Sequence, residues 1–137
     1  MTDRELVAKK LGTIVTCVEQ LRALARPEQL TSDVREERFV EHTLQIAIQA
    51  ALDVAAHIVS DERLGEPQTN HELFVLLQQR VALPDSLLAD LRKMVGFRNV
   101  LVHGYDSVDL SIVRGILADK LDDLIEFARL VRNHLRL

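Results

Sequence analysis

The sequence predicts an all-α protein, an antiparallel four-helix bundle with an additional short helix, and three observations carry that prediction. Apolar residues recur at helical spacing along most of the 137 residues. Five glycines and three prolines punctuate them, too few for a strand-rich fold with many turns. Hydrophobic residues make up 47% of the chain and aromatic residues 4%, enough for one aliphatic core in a single domain, residues 1–137.

The first helix is expected from about Asp3 to Ala25, because Val7, Leu11, Ile14, Val18, Leu21 and Ala25 fall on one face. Thr2 and Glu5 have the spacing of a capping box, and Pro27 follows the end. Thr31, Ser32 and Asp33 offer N-caps for a second helix reaching about Ser60. Between Leu44 and Val59 that helix is nearly all apolar, apart from a ridge of Gln45, Gln49, Asp53 and His57. Apolar cover on so many sides leads to the expectation that a second subunit buries part of it. Residues 61–70 form a loop. Thr69 and Glu72 then cap a short helix ending near Val81. Pro84 opens the fourth helix, whose apolar face is Leu87, Leu91, Met94 and Val95, and Gly104 is placed to stop it. The last helix runs from about Asp109 to His134, with Leu110, Val113, Leu117, Leu121, Leu124, Ala128, Val131 and Leu135 on its apolar side.

Composition narrows the function. A net charge of −4 argues against a general nucleic-acid coating protein, although Arg92, Lys93 and Arg98 form a short basic zone without acids. The single cysteine, Cys17, lies among aliphatic residues and reads as a buried, inert thiol. The charged start MTDRELVAKK does not read as a signal peptide, and no apolar run is expected to span a bilayer, so a cytoplasmic protein with no membrane partner is expected. The histidines at 42, 57, 71, 103 and 134 have no metal-ligand spacing, and no glycine-rich phosphate loop is present. Arg35, Glu36, Glu37, Arg38 and Glu41 read as a solvated helix face.

The stretch RNVLVHGYD, residues 98–106, carries the chemistry. Asn99 and His103 are neighbours at i, i+4, whereas Arg98 and His103 lie about 140° apart on a regular helix. A site using both needs the helix to unwind near His103 or a partner surface that gathers them. The competing reading is a helix stop in which Arg98 and His103 bind free carbonyls and Tyr105 covers the end. Arg129 and His134 repeat the same separation near the C-terminus, so the spacing alone is a weak signal. Asp53 and His57 read either as support for the cleft or as an i, i+4 polar contact within the bundle.

Arg98-Asn99-x-x-x-His103-x-Tyr105 resembles the R-x4-H-x-Y motif of HepT-type HEPN proteins, the ribonuclease toxins of MntA–HepT toxin–antitoxin systems. LQIAIQAALDVAAHIV, GFRNVLVHGY and LDDLIEFARLV carry the resemblance along nearly the whole chain, from about Val7 to Leu135. It implies a two-fold dimer with Arg98 and His103 at the subunit cleft, cutting RNA (transfer or messenger) without metal or cofactor. Asn99 would assist, and Tyr105 would be adenylylated by a MntA-like nucleotidyltransferase antitoxin. The alternative is a non-catalytic dimeric HEPN module that partners a nucleotidyltransferase or binds nucleotide.

Overall fold

The computed structural model describes residues 2–103 and 108–137. Its helices are α1 (Arg4–Leu24), α2 (Val34–Asp61), α3 (Asn70–Leu77), α4 (Asp85–His103), α5 (Leu110–Gly115) and α6 (Leu121–Leu135). A 3-10 turn, Pro27–Gln29, lies between α1 and α2, and a π-helical stretch, Ile116–Lys120, joins α5 to α6 in one run.

Cross-helix contacts fix the topology. The start of α1 meets the end of α2 where the Thr2 hydroxyl donates to Asp61 at 2.6 Å. It also meets the end of α6, where Arg4 donates to the carbonyl oxygens of Leu135 and Arg136. Gln49 and Arg98 pair α2 with α4, and Lys120 and Asp90 pair the α5–α6 run with α4. Neighbours in the ring α1–α2–α4–α6 therefore run antiparallel, and α3 lies against α2 and α4 as the additional short helix. Phe74 of α3 and Phe127 of α6 meet edge to face, with ring centroids 5.7 Å apart.

The helix starts follow local hydrogen bonding. Asp33 accepts from the N–H of Arg35 at 2.8 Å, Thr69 from Glu72 at 3.3 Å, and Asp109 from Ser111 at 2.9 Å. The expected Thr2–Glu5 box is replaced by Asp3, which accepts from the N–H of Leu6 at 3.0 Å and so frees the Thr2 hydroxyl for Asp61.

Three further expectations are corrected by packing. The apolar stripe of the last run is Val113, Ile116, Leu121, Leu124, Phe127, Ala128 and Val131, so Ile116 and Phe127 join the expected residues and Leu117 is only partly buried. A π-turn takes the extra residue between Ile116 and Leu121, and a strict α period misses that shift. Glu36 does not belong to a solvated face, because it is buried and accepts from the N–H of Arg26 at 2.9 Å. Finally, α2 is 28 residues long and apolar enough to cross a membrane by length and composition, contrary to the sequence expectation, yet 61% of its most apolar window is buried inside the bundle.

That burial weakens one inference. Val40, Leu44, Ile48, Leu52, Ala55 and Val59 are all buried by one chain, because α2 packs against α1, α3, α4 and α6. The apolarity of α2 by itself therefore does not require a second subunit. Cys17 is buried as expected, and burial pushes its thiol pKa up, away from the reactive thiolate.

Candidate active site

The α4 helix carries the motif to its end. It runs unbroken through His103, so the chain does not unwind to bring Arg98 and His103 together. The two side chains leave different faces of the helix, about 140° apart. Arg98 turns inward against α2 and is half-buried, whereas Val102 and His103 are exposed in the last turn. Asn99 lies beside Arg98 and one turn before His103. Gly104 and Tyr105 lie outside the described residues.

Arg98 sits at the end of a polar chain that crosses three helices. Its Nη2 donates to Oε1 of Gln49, and its Nη1 donates to Oδ1 of Asn99 at 3.2 Å. Gln49 Nε2 in turn donates to Asp53 Oδ1 at 2.8 Å. Lys10 of α1 completes the chain, with Nζ 3.1 Å from Asp53 Oδ2. Arg98 Nε is buried with no hydrogen-bond partner among the described residues. A guanidinium carries five N–H donors, and Gln49 and Asn99 engage one terminal nitrogen each.

His57 lies one turn beyond Asp53 on the same ridge, but its Nε2 accepts from the backbone N–H of Asp3 at 2.9 Å. That bond ties down the start of α1. The structure thus joins Asp53 to Arg98 through Gln49 and sends His57 to the other end of the ridge. The sequence pattern pointed to Asp53, placed Gln49 on the same ridge without a role at the site, and gave no sign of Lys10. Gln49 was visible as a polar break in an apolar helix. Lys10 had no such signal, since it sits beside the α1 stripe and meets Asp53 only after folding.

Two grooves open along α2, and Gln45 lines both. One, of about 420 Å³, lies between α2 and α4 and is lined by Glu37, Arg38, Glu41, His42, Val100 and Leu101 among others. Burial pushes the Glu41 carboxyl above its ordinary pKa, Glu37 adds to the shift, and Arg38 opposes it. The other groove, of about 220 Å³, lies between α1 and α2 and includes Lys10, Gln49 and Asp53. The short basic zone is divided: Arg92 and Lys93 line a shallow groove with His71, while Arg98 faces α2.

A family model described as ribonuclease HepT-like matches residues 14–131, which include Arg98, Asn99 and His103. The chain belongs to the ribonuclease HepT-like family. It is 30% identical over 129 residues to an mRNA nuclease HepT of Shewanella oneidensis, a match covering 93% of this chain and 97% of that one. It is 31% identical over 104 residues to a tRNA nuclease HepT of Aphanizomenon flos-aquae, covering 76% and 71% of the two chains. Among solved structures, the tri-AMPylated Shewanella oneidensis HEPN toxin in complex with an MNT antitoxin superposes with a TM-score of 0.85 at 30% identity, covering 97% of this chain and 99% of that one. The cytosolic protein YutE of Bacillus subtilis superposes with a TM-score of 0.88 at 16% identity, covering 98% and 92%, and so shares the fold. The predicted all-helical HEPN-like bundle and the HepT family resemblance are both borne out.

Proposed function

We propose that this HepT-like protein is a metal-independent endoribonuclease toxin acting in the cytoplasm as a two-fold dimer, with Arg98 and His103 carrying the reaction. The supporting observation is the unbroken α4, which turns Arg98 inward and leaves His103 exposed in the last turn. One chain offers these groups on separate faces, and a second copy set against the same helix end gathers two arginines and two imidazoles into one cleft.

The reaction follows from those groups. The RNA 2′-oxygen forms a bond to the adjacent phosphorus while one imidazole takes the hydroxyl proton. The bond to the 5′-oxygen breaks, and an imidazolium from the other chain supplies that oxygen with a proton. The products are a 2′,3′-cyclic phosphate and a 5′-hydroxyl end. Arg98 holds the phosphate in a two-point grip and offsets its growing negative charge. Asn99 orients His103 or donates to a phosphate oxygen. Asp53 supports Arg98, and His57 supports the cleft at a distance by holding the start of α1, the helix that carries Lys10. The substrate is messenger or transfer RNA, as the names of the two HepT relatives suggest.

Neutralisation falls to a MntA-like nucleotidyltransferase that adenylylates Tyr105. The tyrosyl oxygen takes AMP from ATP and pyrophosphate leaves. An AMP two residues from His103 places bulk and negative charge where RNA must bind. The test is purified protein with total RNA in chelator. Cleavage by wild type, lost in His103→Ala and in protein made with its nucleotidyltransferase, is expected. Equal behaviour of wild type and His103→Ala contradicts the reading. It would favour the non-catalytic binding module, which the −4 net charge and the modest basic zone recommend.

A further inference from the structure

The polar chain behind Arg98 has a direction. Gln49 stands between a carboxylate and a guanidinium. Its Nε2 donates to Asp53, and its Oε1 accepts from Arg98. A side-chain amide so placed has one orientation that satisfies both neighbours, because the reverse would aim its NH2 at a cation and its oxygen at an anion. Lys10 pins the far oxygen of Asp53 at 3.1 Å, which fixes the carboxylate that fixes the amide. The backbone of α2 around Gln49 is locked as well, since Ala47, Ile48, Ala50 and Ala51 are all buried. The guanidinium is therefore held from a rigid wall, with Asn99 bracing its other terminal nitrogen at 3.2 Å.

We infer that Gln49, oriented by Asp53, is the positioning residue that sets the Arg98 guanidinium for phosphate. This rests on the ribonuclease reading for its catalytic consequence, though the restraint on Arg98 exists with or without catalysis. Gln49 itself acts through the arginine. Losing it frees Arg98 to sample other rotamers, and misplacing a phosphate-binding group by about 1 Å costs on the order of a hundredfold in rate. The Lys10–Asp53 pair is exposed enough that its own loss has a smaller effect.

The test uses the full chain and a short RNA in chelator, with Gln49→Ala, Gln49→Glu, Asp53→Asn and the double exchange Gln49→Glu/Asp53→Asn. In the double variant the amide and the carboxylate trade places. The amide now at position 53 can donate to the carboxylate now at position 49, and that carboxylate can accept from Arg98, so both bonds are rebuilt. Gln49→Ala is expected to lower kcat by about tenfold to a hundredfold with KM within about threefold. The single Gln49→Glu sets two carboxylates side by side and is expected to recover activity as pH falls. The double exchange is expected to restore most of kcat. Side-chain NMR of the Arg98 guanidinium supplies a readout that needs no catalysis: restricted rotation in wild type, faster rotation of the Nη2 group in Gln49→Ala, restriction again in the double exchange. A folded Gln49→Ala with wild-type kcat, or a double exchange no better than Gln49→Ala, overturns the inference. If wild type cleaves nothing, the ribonuclease reading fails, and the NMR comparison still decides whether Gln49 holds Arg98.

Discussion

Asp123→Asn probes the carboxyl cluster where the last helical run meets α4, and its effect depends on pH in a definite direction. Lys120 Nζ lies 3.1 Å from Asp90 Oδ2, and the Asp123 carboxyl, its Oδ2 buried without a donor among the described residues, lies close enough to Asp90 to share a proton with it. Burial pushes the Asp123 carboxyl up to about 6, and the hydrogen bond and charge of Asp90 push the same way. Burial opposes the ionised form of Asp90 too, but hydrogen bonds from Asp123 and Lys120 prevail and hold it below the ordinary range. Between about pH 4 and pH 6 the folded protein thus keeps a proton on Asp123 that the unfolded chain has released. Stability from this group is full below about pH 4, declines as pH rises through 6, and levels off above about 7. A shift of about two units corresponds to about 3 kcal/mol in full. Solvent access and the titration shared with Asp90 reduce this to about 1 kcal/mol. The amide introduced by Asp123→Asn donates to Asp90 at every pH and lacks the decline. Urea or thermal melts of both proteins at pH 4.5 and 7.5 are expected to differ in their pH response by about 1 kcal/mol, a Tm change of about 3–4 °C, in favour of the variant at the higher pH. Parallel profiles would refute the reasoning.

Two other stability effects follow from single positions. Arg63 lies just past the end of α2 in the left-handed region, φ 55°, where a Cβ is penalised, so Arg63→Gly is expected to raise stability by about 0.5–1 kcal/mol in urea titration. Glu36→Ala removes the buried acceptor of the Arg26 N–H and is expected to cost about 1–3 kcal/mol, read as a lower urea midpoint at unchanged m-value.

How much of this was legible in the sequence varies by residue. Helix faces were, because burial enforces their period: Val7, Leu11, Ile14, Val18 and Leu21 are all buried as spaced. Asp33, Thr69 and Pro84 marked starts correctly, since capping is a local event. The π-turn was not legible. A shift of one residue between Ile116 and Leu121 leaves apolar residues on both candidate faces, and only packing selects Ile116 over Leu117. Glu36 and Lys10 were missed for a related reason. Their partners, Arg26 and Asp53, lie on other segments, and charge at a helix surface looks the same whether it is solvated or engaged. At the site, the motif named Arg98 and His103, but what holds Arg98 became visible only when α2 supplied Gln49.

The shared cleft is the central claim, and mixed dimers test it most directly. Wild-type and His103→Ala chains are combined in equal amounts, unfolded and refolded together, and RNA cleavage is measured in chelator. If one cleft draws an imidazole from each chain, only the wild-type pairs cleave. Random pairing makes these about a quarter of all dimers, so the mixture is expected to show about a quarter of the activity of the same amount of all-wild-type protein. A mixture that keeps about half, although mixed dimers have formed, would mean that each chain works alone and would contradict a site built from two.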